Sequence, residues 1–117
     1  MVRKLQKADI DRVADIWLDT NLKAHDFISA QYWKRNFKLV KEMLLQAEVY
    51  VYESDQKIQG FIGLNNDYIE GIFVSDKMQS QGIGKILLND TKDKRNELRL
   101  NVYRKNTRAI SFYKREG

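Results

Sequence analysis

The N-terminal half of the chain has apolar residues at helical spacing in two stretches. The first covers residues 10–18, where apolar positions recur at i, i+3, i+4, i+7 and i+8 and Asp9 stands at the N-cap position. The second covers about residues 29–46 and carries one apolar stripe, which we expect in the core. That stripe consists of Trp33, Phe37, Val40 and Leu44. Between these two helices, residues 20–28 break the pattern and are predicted to form a loop.

Strands are predicted where apolar and polar residues alternate, or where β-branched and aromatic residues cluster. Three such stretches, residues 48–53, 58–64 and 68–74, are joined by short polar turns and predict an antiparallel meander. A short strand at residues 2–5 precedes them, and another at residues 98–103 follows. The middle strand of the meander contains glycines, which often mark a bulge or a close approach by another element. Those glycines are Gly60 and Gly63.

The predicted element order is β, α, α, β, β, β, α, β, α. The last helix begins at Asn106 or Thr107, either of which can act as its N-cap, and continues through Tyr113. The helix that precedes the last strand makes a crossover, and a crossover of this kind joins parallel neighbours. We therefore predict one α+β domain over residues 1–117, with a mixed sheet.

A strand, a glycine-containing turn and a helix follow one another over residues 68–90, with Gly82 and Gly84 at the start of the helix. Glycine lets a ligand approach the backbone closely, and the first turn of a helix has N–H groups without an intrahelical partner. This layout is typical of a phosphate-binding turn. The dinucleotide fingerprint G-x-G-x-x-G does not fit, because Leu87 stands at its third glycine, and no P-loop string occurs. A glycine turn without a ligand is the alternative.

Composition limits the class of protein and the kinds of site. The chain has 117 residues, 43% of them hydrophobic and 32% charged, which is typical of one folded domain. It has no cysteine and one histidine, so disulfides and thiolate metal sites are excluded and no metal is expected. No apolar run approaches the roughly 18 residues of a membrane span, so we expect a cytoplasmic protein without a membrane partner. The net charge of +5 favours an anionic partner. The basic residues are dispersed along the chain among acidic ones, which argues against nucleic acid as that partner.

Two motifs resemble those of one enzyme family. Residues 79–84, Gln-Ser-Gln-Gly-Ile-Gly, fit Q-x-x-G-x-G, and residues 106–113 fit N-x-x-A-x-x-F-Y. The two motifs are separated by one predicted strand. Their order along the chain, and the predicted order of helices and strands, resemble those of the GCN5-related N-acetyltransferases (GNAT). The N-terminal half has W-L, H-x-F-I and Y-W at residues 17–18, 25–28 and 32–33, similar to a bacterial subgroup that includes lysine N-acetyltransferases acting on proteins. The resemblance spans nearly the whole chain.

The resemblance implies a three-layer α/β/α fold and acetyl-CoA as co-substrate. Family members usually continue past the position of Gly117 through two further strands, so the strand at residues 98–103 is expected to be an exposed edge that favours a homodimer. The pantetheine arm is expected along the end of the strand at residues 68–74, and the pyrophosphate on the glycine turn. The cofactor-binding residues implied are Ile72, Phe73, Val74, Gln79, Ser80, Gln81, Gly82, Ile83, Gly84, Lys85 and Asn106. For Asn106, a role as helix cap alone is the alternative.

The resemblance also implies catalytic and acceptor-binding residues. Tyr113 is expected to be the general acid near the departing sulfur, and a backbone N–H near Phe73 is expected to stabilise the oxyanion. Glu70 is predicted to be a general base, directly or through water, with a pKa raised by partial burial; a solvent-facing strand glutamate is the alternative. His25 and Tyr68 are predicted to line the acceptor site. The alternatives are a loop histidine and a tyrosine that covers the sheet edge.

The expected reaction is transfer of an acetyl group from acetyl-CoA to a primary amine by direct attack in a ternary complex, because the chain has no cysteine to form an acyl-enzyme. The resemblance favours a protein lysine or N-terminus as the acceptor. One alternative is a small-molecule amine such as a polyamine, an amino sugar or an amino acid. Another is a coenzyme A-binding module without catalysis.

Overall fold

The computed structural model describes residues 1–79, 81–95, 97–100 and 107–116, which form five α-helices and five strands. The helices are α1 (Ile10–Ala24), α2 (Ala30–Arg35), α3 (Phe37–Leu44), α4 (Ile83–Lys94) and α5 (Thr107–Glu116). The strands are β1 (Val2–Lys4), β2 (Glu48–Ser54), β3 (Lys57–Asn65), β4 (Tyr68–Val74) and β5 (Arg99–Leu100). Short 3-10 turns, Lys7–Asp9 and Asp76–Met78, precede α1 and follow β4.

The described strands form one sheet in the order β1-β2-β3-β4-β5. The first four strands are antiparallel to their neighbours, whereas β5 runs parallel to β4, with Tyr68 opposite Arg99 and Ile69 opposite Leu100. The parallel pair follows from the crossover through α4 and confirms the predicted mixed sheet. The rest of the strand predicted at residues 98–103 falls on residues 101–103, which lie outside the described residues.

Each face of the sheet has its own hydrophobic core, which confirms the predicted three layers. Helices α1 and α3 cover one face, and α4 together with Phe112 of α5 covers the other. Each fully buried aliphatic or aromatic side chain contributes about 1.5–3 kcal/mol to folding. The first core includes Val13, Ile16, Leu44, Val49, Val51 and Phe61. The second includes Ile62, Leu64, Ile69, Ile83, Leu87 and Leu88.

Helix α1 is longer than its apolar pattern predicts. It continues to Ala24 through two buried polar residues, Thr20 and Asn21. The Thr20 hydroxyl donates to the Ile16 carbonyl at 2.7 Å, and Asn21 Nδ2 donates to the Trp17 carbonyl at 2.8 Å. Because the helix backbone satisfies these donors, the two polar side chains can face the interior. The loop predicted at residues 20–28 is therefore wrong for its N-terminal part.

Asp9 occupies the N-cap position of α1, as predicted, but its side chain makes no capping hydrogen bond to that helix. Its backbone is already helical, with φ −86° and ψ −11°, because the 3-10 turn leads directly into α1, whereas an N-cap residue is normally extended. The Asp9 carboxylate instead accepts hydrogen bonds from the Gln6 N–H at 2.7 Å and from Arg3 Nη1 at 2.8 Å and Nη2 at 3.1 Å. It thus links β1 to the start of α1.

The single helix predicted at residues 29–46 is two helices, which meet at Asn36. The Asn36 side chain donates to the Tyr32 carbonyl at 2.7 Å, and its backbone has φ −91° and ψ 0°. Asparagine competes for backbone hydrogen bonds in this way and so favours a helix end. The apolar stripe survives the break, since Trp33 and Leu44 are buried and Phe37 packs against the core.

Candidate active site

The turn between β4 and α4 depends on Gly82. Its φ is +85°, in the left-handed region, and no heavy atom of the described residues lies within 4 Å of the position that a Cβ would take. Glycine adopts this conformation without strain, whereas most other residues do not. Gln79 Nε2 donates to the Val74 carbonyl at 3.2 Å, which holds the start of the turn against the end of β4. The backbone at Gly82 is therefore fixed in shape and open to a ligand.

The N-terminus of α4 carries positive dipole charge that no described side chain compensates. No side-chain hydrogen bond caps it, and its first turn has no acidic residue. The first bond of the helix runs from the Ile86 N–H to the Gly82 carbonyl at 3.0 Å. The N–H groups before it belong to Ile83, Gly84 and Lys85. These amides and the helix dipole fit an anion such as a pyrophosphate.

The remaining predicted cofactor-binding residues are at the surface of the turn or outside the described residues. Gln81 is exposed, and its Nε2 donates to the Lys77 carbonyl at 3.4 Å. The Lys85 side chain is 61% exposed, with Nζ 4.0 Å from Glu116 Oε1, so it adds a solvated positive charge beside the turn. Ser80 and Asn106 lie outside the described residues.

The backbone of β4 presents donors on the side away from β3. The Ser75 N–H donates to the Gln59 carbonyl of β3 at 2.8 Å. Because successive N–H groups of a strand point in alternate directions, the Phe73 N–H also faces β3, and the N–H groups of Ile72 and Val74 face the opposite side. The backbone donor expected near Phe73 is therefore that of Ile72 or Val74. The side chains of those two residues pack on the α4 face of the sheet.

Glu70 is the extra residue of a β-bulge. Its neighbours Ile69 and Gly71 pair with adjacent residues of β3, so Glu70 has no partner position on that strand. The bulge shifts the side-chain alternation, and Ile69 and Ile72 consequently lie on the same face. Glu70 is exposed, so the partial burial predicted for it is wrong. Bulges commonly redirect side chains beside active sites, and here the bulge turns a carboxylate toward solvent.

Helix α5 packs Phe112, the neighbour of Tyr113, against the first turn of α4. The ring of Phe112 lies 3.4 Å from the position that a Cβ of Gly84 would take, so the two helices touch at that glycine. The rings of Phe112 and Tyr113 are 5.3 Å apart at an angle of 73°. Burial raises the pKa of Tyr113 to about 12. The phenol therefore keeps its proton throughout the neutral range.

His25 follows α1 and belongs to an aromatic cluster. Its ring lies 5.7 Å from that of Phe27 and 5.6 Å from that of Trp33, and its Nδ1 is 2.9 Å from Asn21 Oδ1. Burial lowers the pKa of His25 below its ordinary value, because a buried imidazole is harder to charge. At neutral pH the ring is therefore mainly neutral.

An ion pair shows where this end of α1 lies relative to the glycine turn. Lys23 Nζ is 2.8 Å from Asp76 Oδ2, and Asp76 begins the 3-10 turn that follows β4. The end of α1 and His25 are therefore at the same end of β4 as the glycine turn. Tyr68, at the other end of β4, is about 20 Å from Val74 along the strand. The structure brings His25, but not Tyr68, to the end of the strand where α4 begins.

Sequence reasoning missed Asn21, whose side chain contacts His25. Asn21 is only 4% exposed, which is unusual for an asparagine. It lies four residues before His25, a spacing that places two side chains on one helix face. That signal becomes visible only once α1 is known to continue beyond residue 20.

Comparison with known proteins identifies the family. A family model described as an acetyltransferase (GNAT) domain matches residues 46–117, more than half of the chain. The chain belongs to the GNAT acetyltransferase family. The match includes the glycine turn, β4 and α5, the elements that build the site described above. The GNAT fold and the acetyltransferase class predicted from the sequence are thereby confirmed.

Two GNAT relatives extend the match to the N-terminal half. The chain is 34% identical over 119 residues to the peptidyl-lysine N-acetyltransferase YiaC of Escherichia coli (strain K12). This alignment covers 100% of this chain and 82% of the relative. The solution structure of apo-form YjaB from Escherichia coli superposes with a TM-score of 0.89 at 26% identity, and covers 100% of this chain and 80% of that one.

A third GNAT neighbour agrees in fold. The PaiA N-acetyltransferase from Thermoplasma acidophilum, solved in complex with coenzyme A, superposes with a TM-score of 0.87 at 22% identity, and covers 100% of this chain and 87% of that one. Within the described parts of this GNAT chain, no group of three or more His, Cys, Asp or Glu side chains is arranged to hold a metal ion. None of its described helices is long and apolar enough to cross a membrane.

Proposed function

We propose that this GNAT enzyme transfers the acetyl group of acetyl-CoA to the side-chain amine of a protein lysine. The observation that carries the proposal is the N-terminus of α4, which follows Gly82 without a capping side chain or an acidic residue among those described. Such a terminus suits the pyrophosphate of coenzyme A. The similarity to a relative that is named a peptidyl-lysine N-acetyltransferase supports a protein lysine as the acceptor.

Two backbone segments hold the co-substrate in this proposal, and acetyl-CoA supplies an activated thioester carbonyl when it is bound. The amides of the glycine turn and of the first turn of α4 bind the pyrophosphate, and Lys85 adds positive charge beside it. The N–H groups of Ile72 and Val74 bind the pantetheine arm and the carbonyl oxygen. Fixed backbone donors of this kind stabilise an oxyanion because they need no reorganisation during the reaction.

The acceptor nitrogen attacks the thioester carbon directly, the carbon–sulfur bond breaks, and the sulfur takes up a proton. A free thiol has a pKa of about 8.5, whereas that of Tyr113 is about 12. The Tyr113 hydroxyl therefore acts first as a hydrogen-bond donor to the departing sulfur. Complete transfer of its proton to the thiolate is uphill, so it is completed only as solvent returns a proton to the phenolate. Glu70, exposed on its bulge, accepts the proton of the acceptor amine through water.

A pair of substitutions at Gly82 tests the proposed cofactor site. Gly82→Asp adds a carboxylate where the pyrophosphate would bind, and Gly82→Asn adds a side chain of the same shape without the charge. Asparagine and aspartate both tolerate the left-handed conformation, so the two variants share the same backbone cost. We expect calorimetry to show acetyl-CoA affinity at least about tenfold weaker for Gly82→Asp than for Gly82→Asn, because the added charge repels an anion. Equal affinities would contradict a pyrophosphate site at this turn.

The acceptor is tested by measuring thiol release with lysine-containing peptides, and with polyamines and amino sugars as alternative acceptors. A preference for peptides, with acetyl-lysine found by mass spectrometry, is the expected result. Faster turnover of a small amine would favour the small-molecule alternative, and acetyl-CoA binding without turnover of any acceptor would favour a binding module. The homodimer and the cytoplasmic location stay predictions, which light scattering and cell fractionation would test.

A further inference from the structure

The side chain of Phe73 lies back along β4, over Gly71. The position that a Cβ of Gly71 would take is 2.5 Å from Phe73 Cζ, well inside the contact distance of about 3.5–4.0 Å between carbon atoms. The backbone at Gly71, unlike that at Gly82, does not have a positive φ, so its conformation does not require glycine. Position 71 therefore needs glycine because the Phe73 ring fills the space of a side chain there.

The hydrophobic core holds the Phe73 ring in this position. Phe61 pairs with Phe73 across β3 and β4, and the two rings are stacked, with their centroids 4.8 Å apart and an angle of 23° between their planes. Phe61 is only 2% exposed, whereas Phe73 is half-buried. Because protein interiors are close-packed, the buried Phe61 ring gives the Phe73 ring a rigid support, and part of the Phe73 side chain remains at the surface.

The Phe73 ring and Glu70 lie on the same face of the sheet. Phe61 and Phe73 both pack against the core under α1, so the ring is on the α1 face. Gly63 is two residues from Phe61 in β3 and therefore faces the same way. Glu70 Cβ is 3.8 Å from the position that a Cβ of Gly63 would take, so Glu70 also lies on this face. The proposed base and the ring thus border one surface.

In the proposed function, the acyl group of the co-substrate lies at this surface. Coenzyme A extends from the N-terminus of α4 along β4, and the N–H of Ile72 or Val74 holds the thioester carbonyl. Glu70 takes the proton of the acceptor amine, so the amine approaches from the α1 face. The carbon atoms attached to the carbonyl then lie beside the Phe73 ring, which belongs to the residue between the two donors.

We propose that the Phe73 ring limits the acyl group to two carbons, so that this enzyme accepts acetyl-CoA and discriminates against longer acyl thioesters. The inference rests on the proposed function and assigns a donor specificity to it. The reaction is the same for every acyl group, since the amine forms a bond to the carbonyl carbon and the carbon–sulfur bond breaks. In apolar pockets a single methylene changes kcat/KM by about 10–200-fold, so a fixed ring can give strong discrimination.

Thiol release from acetyl-CoA, propionyl-CoA and butyryl-CoA, with one lysine peptide as acceptor, tests this specificity. The wild type should prefer acetyl-CoA to butyryl-CoA by at least about tenfold in kcat/KM, and Phe73→Ala should lower that preference by at least about tenfold. A merely structural role of Phe73 would lower kcat/KM for all three thioesters by the same factor. Phe73→Leu, which keeps more of the packing on Phe61, should give an intermediate preference and decides the question if Phe73→Ala does not fold.

Gly71 offers a second test and Phe37 a matched control. Gly71→Ala, added to Phe73→Ala, returns a methyl group to the vacated space and should restore part of the preference for acetyl-CoA. Phe37 packs against the same core as Phe73, but from α3. Phe37→Ala removes an equally large side chain away from β4 and should leave the donor preference unchanged.

A wild type that uses butyryl-CoA as readily as acetyl-CoA, or an unchanged preference in folded Phe73→Ala, would overturn the inference. Calorimetry without an acceptor separates this failure from that of the proposed function. Tighter binding of acetyl-CoA than of butyryl-CoA, with the difference lost in Phe73→Ala, would support the role of Phe73 in a protein that acetylates no lysine peptide. A wild type that binds neither thioester would contradict the proposed cofactor site and the role of Phe73 together.

Discussion

Burial, rather than a charged neighbour, sets the chemistry of Tyr113 and His25. Burial raises the pKa of Tyr113 to about 12 and lowers that of His25, in each case because it disfavours the charged form. Both groups are consequently neutral near pH 7. Near neutral pH the Tyr113 phenol therefore keeps the proton with which it can donate a hydrogen bond.

Tyr113→Phe should lower kcat by about a hundredfold or more, because proton donation to a leaving group usually contributes that much. The affinity for acetyl-CoA should change little, since the ring that packs beside Phe112 is kept. Thiol-release kinetics and calorimetry measure the two quantities. The raised pKa also means that ionisation of Tyr113 should not limit activity below about pH 10.

Tyr52→Phe is a suitable control, because it removes a phenolic hydroxyl from β2, two strands away from β4. It should leave kcat unchanged. If Tyr113→Phe also turned over at the wild-type rate, Tyr113 would be a packing residue and not the proton donor.

At the scale of elements, Gly60 allows β3, β4 and α4 to approach one another closely. A Cβ at Gly60 would lie 2.9 Å from the Phe73 carbonyl oxygen and 3.1 Å from Ile83 Cγ2. This confirms the prediction that a glycine in this strand marks a close approach. The contact matters for function because it sets the distance between the end of β4 and the first turn of α4, the two segments that frame the proposed cofactor site.

Gly60→Ala should therefore lower the free energy of unfolding by about 2 kcal/mol, since a backbone oxygen cannot move aside easily and overpacking costs that much. The matched control is Gly63→Ala in the same strand, where the nearest heavy atom to the new Cβ is Glu70 Cβ at 3.8 Å, an ordinary contact. Urea unfolding of both variants gives the comparison. Equal stabilities would mean that the close approach at Gly60 relaxes without cost.

At the scale of the whole molecule, ion pairs join elements that are distant in sequence. Arg3 of β1 contacts Asp9 at 2.8 Å and Glu53 of β2 at 2.9 Å. At the other end of the sheet, Arg95 follows α4 and contacts Glu48 of β2 at 2.5 Å. These partly buried pairs hold the first strand and the end of α4 against the sheet, so folding depends on the charge state of the carboxylates.

Acid should weaken the fold through Asp9. Arg3 lowers the pKa of Asp9 below its ordinary value, so this carboxylate stabilises the folded state above its unfolded pKa of about 3.9, and the stabilisation is lost as pH falls through the lower folded value. Asp9→Asn should cost about 2 kcal/mol at pH 7, because a hydrogen bond to a charged group is typically worth that much. Its stability should also fall less steeply on acidification.

Unfolding by urea between pH 7 and pH 2 measures this difference. Asp11→Asn is the control, since the Asp11 side chain is 88% exposed in the first turn of α1 and its contact with Lys41 is a surface ion pair. That variant should change stability by less than about 0.5 kcal/mol. An equal loss of unfolding free energy from both substitutions would contradict the stabilising role of the buried Asp9 carboxylate.

Local patterns in the sequence were sufficient for most of the elements but not for their ends. Alternation located β2, and helical spacing located α1, because each pattern reflects burial of one face of a single element. The same patterns could not show that α1 continues through Thr20 and Asn21, since polar residues interrupt the apolar face and the hydrogen bonds that permit their burial appear only in the folded helix. The break at Asn36 was missed because the apolar stripe continues across it.

The sequence by itself determined the glycine turn, the strand–helix order and the family, because glycines, alternation and motifs are properties of neighbouring residues. Only the tertiary structure decided the bulge at Glu70, the contact of Phe112 with Gly84, and the ion pair of Lys23 with Asp76. Strand register and helix packing depend on contacts between distant segments, which no local pattern encodes. The proposed chemistry of the acceptor site depends on these long-range contacts, whereas that of the cofactor site depends mainly on a local backbone conformation at Gly82.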